Sequence, residues 1–549
     1  MTLEEIKIQS HGLRGGIAAT LDDPTQKGFS QDDQQLIKFH GFYQQRNRDK
    51  NIPNGEKNIS FMVRGRIPGG RLTAKQYLKW DELADTFGVG SLRITTRQTL
   101  QIHGVVKDNL RSLFQGIHSV NQTTAAACGD VVRNVTQPAN PRGLAELELL
   151  NEPVNLLSNY FQYKTSAWTE IWIDGTKVDL PGEEEEPFYS SAYLPRKFKI
   201  AITVTGDNSV DLYTNDMGLA AEISNGAIQG YFVFAGGGMG MTHGKAETFP
   251  RLADLIGYIP ADKIVAVAEA MISVHRDYSD RTNRKHARLK YVIAERGVEW
   301  FRNEVEKRQG FNFVQKQIPP WNTPRHLGWQ PHTNGSWSLG IHLICGRITD
   351  NAHGRIKTAL REIVQTYNPS VQVTTDLNLI LQDIPATAKS AIEKILTSSG
   401  YEWKSPSPLF DRSIACVSLP SCPLALTEAE PVFLSILQKV EVLLEKYALQ
   451  NRPLILRMTG CPNGCARPYV AELALIGQAA NKFTIFAGGT ASGDHLAQLL
   501  AQNIPLDAIT DVFEKLFFIW QNEGKTEELL GDFIQRIGFE TLKERLALG

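Results

Sequence analysis

The chain has 549 residues, 42% hydrophobic and 21% charged, with a formal net charge of −1. That length exceeds one hydrophobic core and fits about three domains of ordinary size, in a composition typical of globular proteins. The balance of charge excludes a bulk bias toward nucleic acid or an anionic membrane, no apolar run is long enough to span a bilayer, and six cysteines in so long a chain do not make a disulfide framework.

Met1-Thr2-Leu3-Glu4-Glu5 lacks a basic region ahead of an apolar run, so a cytosolic protein is expected. Residues 1–59 are polar around a Gly12-Leu13-Arg14-Gly15-Gly16 turn and read as an extended N-terminal arm. A compact unit follows over 60–125. Ser60 to Arg66 reads as a strand that stops at Pro68-Gly69-Gly70. Thr73 and Gln76 form a capping-box pattern, Trp80, Leu83, Ala84 and Phe87 share one helix face, and Gly88 ends it. From Ser91 to His103 a period of two puts Leu92, Ile94, Leu100 and Ile102 on one side of a strand, with Arg93, Arg97, Gln101 and His103 on the other. A helix through Leu110, Leu113, Phe114 and Ile117 closes the unit.

The pattern returns over 325–403. Trp337, Leu339, Ile341 and Leu343 alternate, Gly346-Arg347-Ile348-Thr349 echoes Gly70-Arg71-Leu72-Thr73, and the stretch from Ser370 to Asp376 aligns with that from Ser91 to Arg97. Two such strand–helix–strand–helix units predict an internally duplicated α+β fold, its halves packed about a pseudo-twofold axis. The copies differ where chemistry would sit: Arg93, Arg97, Gln101 and His103 match Gln372, Asp376, Ile380 and Gln382. A purely structural duplication has no reason to keep basic residues in one copy, so the first copy is read as facing an anion. The plain alternative is a solvated strand face.

Proline-rich joints near Pro319 to Pro324 and Pro406 to Pro408 bound two larger segments, 126–324 and 404–549. A strand entering Gly236-Gly237-Gly238 in the first matches one entering Gly488-Gly489 in the second, which suggests a second duplicated pair. These glycines could present N–H groups to an anionic ligand or simply make tight turns. Arg64 ends the first strand, Arg133 lies in Cys128-Gly129-Asp130-Val131-Val132-Arg133, and Lys197 and Lys199 flank Phe198. Two lysines two residues apart project from one face, where they repel unless an anion lies between them, and partial burial would lower their pKa values toward neutrality. An exposed edge strand guarded by lysines is the alternative.

The last four cysteines come in two pairs, Cys416-x5-Cys422 and Cys461-x3-Cys465, beside Pro420, Pro423, Pro462 and Gly464. Two close thiolate pairs can bind one metal centre. Zinc knuckles mostly use C-x2-C or C-x4-C, whereas wider pairs in Pro/Gly-rich loops suit an iron–sulfur cube; structural zinc and four unrelated core cysteines also remain open. Cys128 and Cys345 are read as core residues.

The two-part signature, Cys416-x5-Cys422 followed by Thr459-Gly460-Cys461-Pro462-Asn463-Gly464-Cys465, resembles that of the sirohaem sulfite and nitrite reductases. With the basic motifs the resemblance spans nearly the whole chain, and it is nearest to the hemoprotein subunits of the assimilatory sulfite reductases. It implies two ferredoxin-like half-copies, at 60–125 and 325–403, and two larger α/β cofactor-binding segments, at 126–324 and 404–549. It implies one [4Fe-4S] cluster on Cys416, Cys422, Cys461 and Cys465, with Cys465 also the axial thiolate of one sirohaem. It further implies that Arg64, Arg133, Lys197 and Lys199 bind sulfite, and that Arg93, Arg97, Gln101 and His103 meet the carboxylates of the macrocycle, with Arg281 to Lys285 a further candidate stretch. Related nitrite reductases tend to have a neutral residue in the place of Lys199, so sulfite is the implied substrate, reduced by six electrons to sulfide for cysteine biosynthesis, with nitrite reduction as the rival.

No G-x-G-x-x-G follows a strand, so electrons must come from a partner. The resemblance implies a flavoprotein carrying FAD and FMN and oxidising NADPH, with ferredoxin as the runner-up. Two departures from the family pattern are a short arm before Leu13 and Ala466 where some relatives have glycine. The rival from another class is a non-catalytic zinc protein that binds a polyanion. Its basic residues should be interleaved with aromatic ones, as in single-strand binders, and here they are not.

Overall fold

The computed structural model describes residues 1–46, 59–164, 171–173, 176–178, 186–245, 247–324 and 326–546. The helix Ala74–Phe87 starts with the expected capping box, Thr73 Oγ1 accepting from the Gln76 N–H and Gln76 Oε1 from the Thr73 N–H, an arrangement worth about 1 kcal/mol. Its inner face buries Trp80, Leu83 and Ala84 against the sheet. The stretch from Ser91 to His103 is a hairpin rather than one strand. Leu92–Ile94 and Leu100–Val105 pair antiparallel around a turn over 95–99. Arg93 still faces the same side as Gln101, because the two are direct cross-strand partners.

Each half-copy completes a five-stranded sheet with a strand from the other. Arg347–Ile348 pairs with Leu92–Ile94, and Arg71–Leu72 pairs with Ser370–Val373. These are the Gly-Arg-Leu/Ile-Thr segments that match in sequence, so the exchange is reciprocal and defines the pseudo-twofold axis. It also sets Arg347 opposite Arg93, a destabilising like-charge pair unless a carboxylate lies between them. Glu430 supplies it, 3.0 Å from Arg93 Nε and 2.7 Å from Arg347 Nε.

The larger segments form the second pair. Ile200–Val204 runs parallel to Met217–Ser224, which continues antiparallel through Ala227–Ala235 and Asp254–Pro260. Leu456–Thr459, Leu473–Ala479, Lys482–Ala487 and Gln498–Pro505 repeat that order and those directions. A long helix follows each sheet, Ile264–Tyr278 in one and Ile509–Glu523 in the other. Four N–H groups of the glycine turns are used inside the fold. Gly236, Gly237 and Gly238 donate to Asp216, Asn215 and Arg251 carbonyls, and Gly488 donates to the Glu472 carbonyl. A Cβ on Gly237 would lie 2.1 Å from the Tyr213 carbonyl oxygen, which explains the small residue.

The reading of residues 1–59 as an extended arm is corrected over 1–46; residues 47–58 lie outside the described residues. Helices Leu3–Gln9, Ile17–Asp22 and Asp33–Leu36 fold onto the main core, where Ile6, Leu13, Ile17, Leu36, Ile37 and Phe39 are buried. Phe42–Arg46 then adds an edge strand to the first sheet. Helices of four to seven residues show no periodicity and are held by tertiary burial rather than propensity. Among the described residues no helix is long and apolar enough to cross a membrane.

Candidate active site

The cysteine loops leave adjacent parallel strands. Ile414–Ala415 runs into Cys416 and Leu456–Thr459 runs into Cys461, and the Cys416 N–H donates to the Met458 carbonyl at 3.0 Å. Gly460 donates its N–H to Cys416 Sγ and Asn463 Nδ2 donates to Cys461 Sγ, each at 3.3 Å. A Cβ on Gly460 would lie 2.5 Å from the Thr427 carbonyl oxygen. Gly464 takes a φ of +65° with its α-carbon face against Met239, so a Cβ there would be both strained and crowded. The Leu419–Pro420 peptide between the first two cysteines is cis.

Burial raises the Cys416 thiol far above its ordinary value, and Cys465 and Cys461 push it the same way. Burial also raises Cys461, to about 11, with Cys465 and Cys422 adding to the rise. Cys461 and Cys465 thus lie within electrostatic reach of Cys416, and Cys422 and Cys465 within reach of Cys461; as thiolates the four need a cationic centre between them. Among the described residues no three His, Cys, Asp or Glu side chains gather closely enough to hold a single ion. Two thiol pairs in Pro/Gly-rich loops, close enough to interact electrostatically, fit the donor set of a multi-iron cluster.

Facing these loops is a basin of positive charge. Phe198 is buried against His275, and its main chain pairs with residues 131–133, the Arg133 N–H donating to the Phe198 carbonyl at 2.8 Å. This pairing sets Arg133 beside Lys197 and Lys199. Lys197 is held well below its ordinary value by burial and then by Lys199, Arg196, Arg288 and Arg133. Lys199 is lowered to about 7 by burial, Arg288 and Arg97. Two ammonium groups about 7 Å apart repel by about 2 kcal/mol at an effective dielectric of about 20, somewhat more than one pKa unit. Mutual repulsion alone therefore does not bring a lysine near neutrality, and burial is the larger cause.

Arg64 donates to Cys128 Sγ at 3.2 Å and lies 6.0 Å from the Tyr43 ring centre. With its oxygen turned to the guanidinium, the Gln101 amide accepts from Arg64 Nε at 3.0 Å and Nη2 at 2.5 Å. His103 Nδ1 is 3.2 Å from Gln45 Oε1, and burial first, then Arg347, Arg93 and Arg64, hold the ring neutral. Arg97 donates to Asn215 Oδ1 at 2.6 Å, the Asn134 carbonyl at 2.5 Å and the Ile200 carbonyl at 2.7 Å, while its buried Nε has no partner. Among the described residues no carboxylate pairs with Arg64, Arg97, Arg133, Lys197 or Lys199. Neighbouring cations are paired: Arg284 and Arg196 with Asp130, and Arg288 with Asp216.

Arg93 differs from its expected place. Its Nη2 donates to the Ala415 carbonyl at 3.0 Å and its Nε meets Glu430, whose own N–H donates to the Cys416 carbonyl. It therefore braces the back of the Cys416 loop, with its carboxylate supplied by the protein. Arg281 is also turned away, toward Glu4 and the Tyr193 carbonyl.

Several residues escaped the sequence reading. Asp130 and Asp216 ration the charge of the basin, Glu430 separates Arg93 from Arg347, and Tyr43 and Cys128 line Arg64. Cys128 is buried as expected but touches a guanidinium. Lys290 donates to the Gly238, Gly240 and Phe249 carbonyls, and burial with Arg288 lowers it to about 6. Arg288-x-Lys290 repeats the spacing of Lys197-x-Lys199 and could have marked it; the acidic partners carry no local signal.

Comparison with known proteins shows the family and the fold. The family model "Nitrite and sulphite reductase 4Fe-4S domain" matches residues 155–313 and 412–548, and "Nitrite/Sulfite reductase ferredoxin-like half domain" matches 54–120 and 330–399. A sulfite reductase [NADPH] hemoprotein beta-component of Myxococcus xanthus is 43% identical over 98% of this chain and 96% of its own length. A sulfite reductase [ferredoxin] of Synechococcus elongatus is 39% identical over 99% of this chain and 90% of its own. The fold is that of the Mycobacterium tuberculosis NirA protein, with a TM-score of 0.78 at 23% identity, covering 98% of this chain and 96% of that one. The chain belongs to the nitrite and sulphite reductase family, as an oxidoreductase with a [4Fe-4S] domain and two ferredoxin-like half domains.

Proposed function

We propose that the protein reduces sulfite to sulfide; Cys416, Cys422, Cys461 and Cys465 would hold one [4Fe-4S] cluster, and Cys465 would also hold one sirohaem. One observation carries this reading: among the described residues Arg64, Arg97, Arg133, Lys197 and Lys199 converge in one basin without a carboxylate partner, while Arg196, Arg284 and Arg288 around them are paired. Withdrawing an unpaired charge from water costs several kcal/mol, so such a basin is built for anions that arrive from outside the chain. The carboxylates of a sirohaem and a small oxyanion substrate meet that demand.

When bound, the cofactors would carry electrons from the donor to the oxyanion. The chain supplies charge, protons and shape. Arg64 and Arg133 clamp the oxyanion rather than feed it protons, because guanidinium is a poor proton donor. Lys199, poised at about 7, and Lys197 can hand protons to oxygens that leave as water. Arg97 is fixed by Asn215 and two carbonyls, and Gln101 and His103 lie beside Arg64 and Gln45; these residues would meet the carboxylates of the macrocycle.

The donor is read as a flavoprotein that oxidises NADPH, in the cytosol and in the service of cysteine biosynthesis, after the beta-component relatives; ferredoxin is the second reading, after the Synechococcus relative. The deciding experiment is the visible spectrum of the purified protein, before and after sulfite is added to the reduced form. Tetrapyrrole bands that shift with sulfite support the reading. Their absence in a host that makes sirohaem overturns it. Reconstitution with each donor, and turnover of nitrite against sulfite, then fix electron source and specificity.

A further inference from the structure

The two larger segments hold equivalent turns at the pseudo-twofold axis. Asp211 and Arg467 each precede a short 3-10 turn, Leu212–Thr214 and Pro468–Val470, and each takes a left-handed conformation, with φ of 49° and 54°. Their N–H groups donate to the equivalent Asn208 and Gly464 carbonyls. Counting back from these residues, Ser209 stands where Cys465 stands. The equivalence extends to the half-copies: Thr96 Oγ1 donates to the Cys465 carbonyl at 3.1 Å, and Thr375 Oγ1 donates to the Ser209 carbonyl at 2.9 Å.

One side chain gathers these parts together. Arg467 Nε donates to Asp211 Oδ2 at 2.6 Å, Nη1 to the Thr96 carbonyl at 3.3 Å, and Nη2 to the Thr375 carbonyl at 3.2 Å and Asp376 Oδ1 at 3.3 Å. Arg457 Nη1 donates to Asp211 Oδ2 at 2.6 Å and to the Arg467 carbonyl at 3.2 Å, and Arg412 approaches both aspartates. A guanidinium two residues from the last cysteine is thus tied to both hairpin turns and to the other large segment. The cost of desolvating it is met by a network that only this relative placement of the parts can satisfy.

We propose that Arg467 and Thr96 are positioning residues for Cys465, fixing its sulfur relative to the hairpin that carries Arg97. This rests on the reading of Cys465 as the sulfur shared by cluster and sirohaem. A shift of that sulfur by a fraction of an ångström would loosen the link between the two cofactors without removing a ligand.

The test uses the holoprotein with Arg467→Gln, Arg467→Lys, Thr96→Val and Thr375→Val. Iron, acid-labile sulfide and sirohaem are assayed, the magnetic exchange between cluster and sirohaem iron is read by Mössbauer or EPR spectroscopy, and turnover is driven by a dye. Arg467→Gln and Thr96→Val should keep their cofactors yet weaken the exchange signature, with turnover down about a hundredfold and about tenfold respectively. Arg467→Lys should recover part of the signature. Thr375→Val, which removes the same bond in the copy without a cysteine, should leave it intact. An unchanged signature in Arg467→Gln, or equal weakening in Thr375→Val and Thr96→Val, overturns the proposal. If Arg467→Gln does not fold, the two threonine variants decide alone. An unaltered protein that holds both cofactors but shows no exchange signature would instead sink the shared-sulfur reading, whatever the variants do.

Discussion

Asp216 precedes the strand Met217–Ser224, accepts from the Lys199 N–H at 2.9 Å, and pairs through both oxygens with Arg288. Glu472 precedes the equivalent strand Leu473–Ala479, accepts from the Ile455 N–H at the same 2.9 Å and from the Gly531 N–H at 3.0 Å, and among the described residues has no ion-pair partner. Burial lifts Glu472 to about 7, while Asp216 is matched by a guanidinium. The backbone role of the two carboxylates is the same; the charge around them is not. In the half-copies Arg97 faces Asn215 and the basin, whereas its counterpart Asp376 meets Arg467. Duplication supplied two equivalent niches. One kept unpaired cations and a cysteine for external groups, and the other closed on itself with Ser209 and an internal ion network.

The sharpest way to break this comparison is to make the loaded niche resemble the empty one. Cys465→Ser installs the residue type of the equivalent Ser209 and should lose labile sulfide, cluster–sirohaem exchange and sulfite turnover together. Normal turnover in that variant would remove Cys465 from the shared position.

Lys199→Ala comes next. It should lower sulfite turnover by about a hundredfold to a thousandfold with iron content unchanged, as expected for loss of a proton donor. Parallel loss of turnover and iron would assign the lysine a structural role.

The pH dependence follows from the same residue. Its value is lowered from 10.5 to about 7 by burial first, so it carries its charge below about 7 and loses it above. Sulfite affinity, measured by spectral titration, should therefore fall as pH rises through that range. Lys199→Arg, which stays charged, should move the fall upward and separate the side chain from the titration of sulfite itself.

In the closed niche, Glu472 is raised from 4.5 to about 7. Between those values the folded protein holds a proton that the unfolded chain releases, so this group's contribution is complete below about 4.5 and is lost as pH rises through about 7. Denaturant unfolding should show that slope, and Glu472→Gln should abolish it whatever its absolute stability. The smallest effect on turnover belongs to Ser209→Ala, which should leave it unchanged and lower stability by about 1 kcal/mol, the worth of the hydrogen bond that the buried hydroxyl makes to Asp207.

Patterns carried by neighbouring residues were legible in the chain itself. The duplication of 60–125 in 325–403, the capping box at Thr73, the two cysteine pairs and the Lys197-Phe198-Lys199 face all depend on spacing over a few residues, which fixes geometry whatever the rest of the chain does. The basic character of one hairpin against the other was legible for the same reason. What each basic residue does was not. Arg93 and Arg97 look alike in sequence, yet one braces the Cys416 loop through Glu430 and the other is fixed by Asn215 at the rim of the basin. The N-terminal helices, the exchanged strands and the Asp211–Arg467 bridge likewise join residues far apart in the chain. Tertiary packing alone decided these, because a buried charge takes whichever partner the fold brings within reach, and that partner leaves no trace in its local sequence.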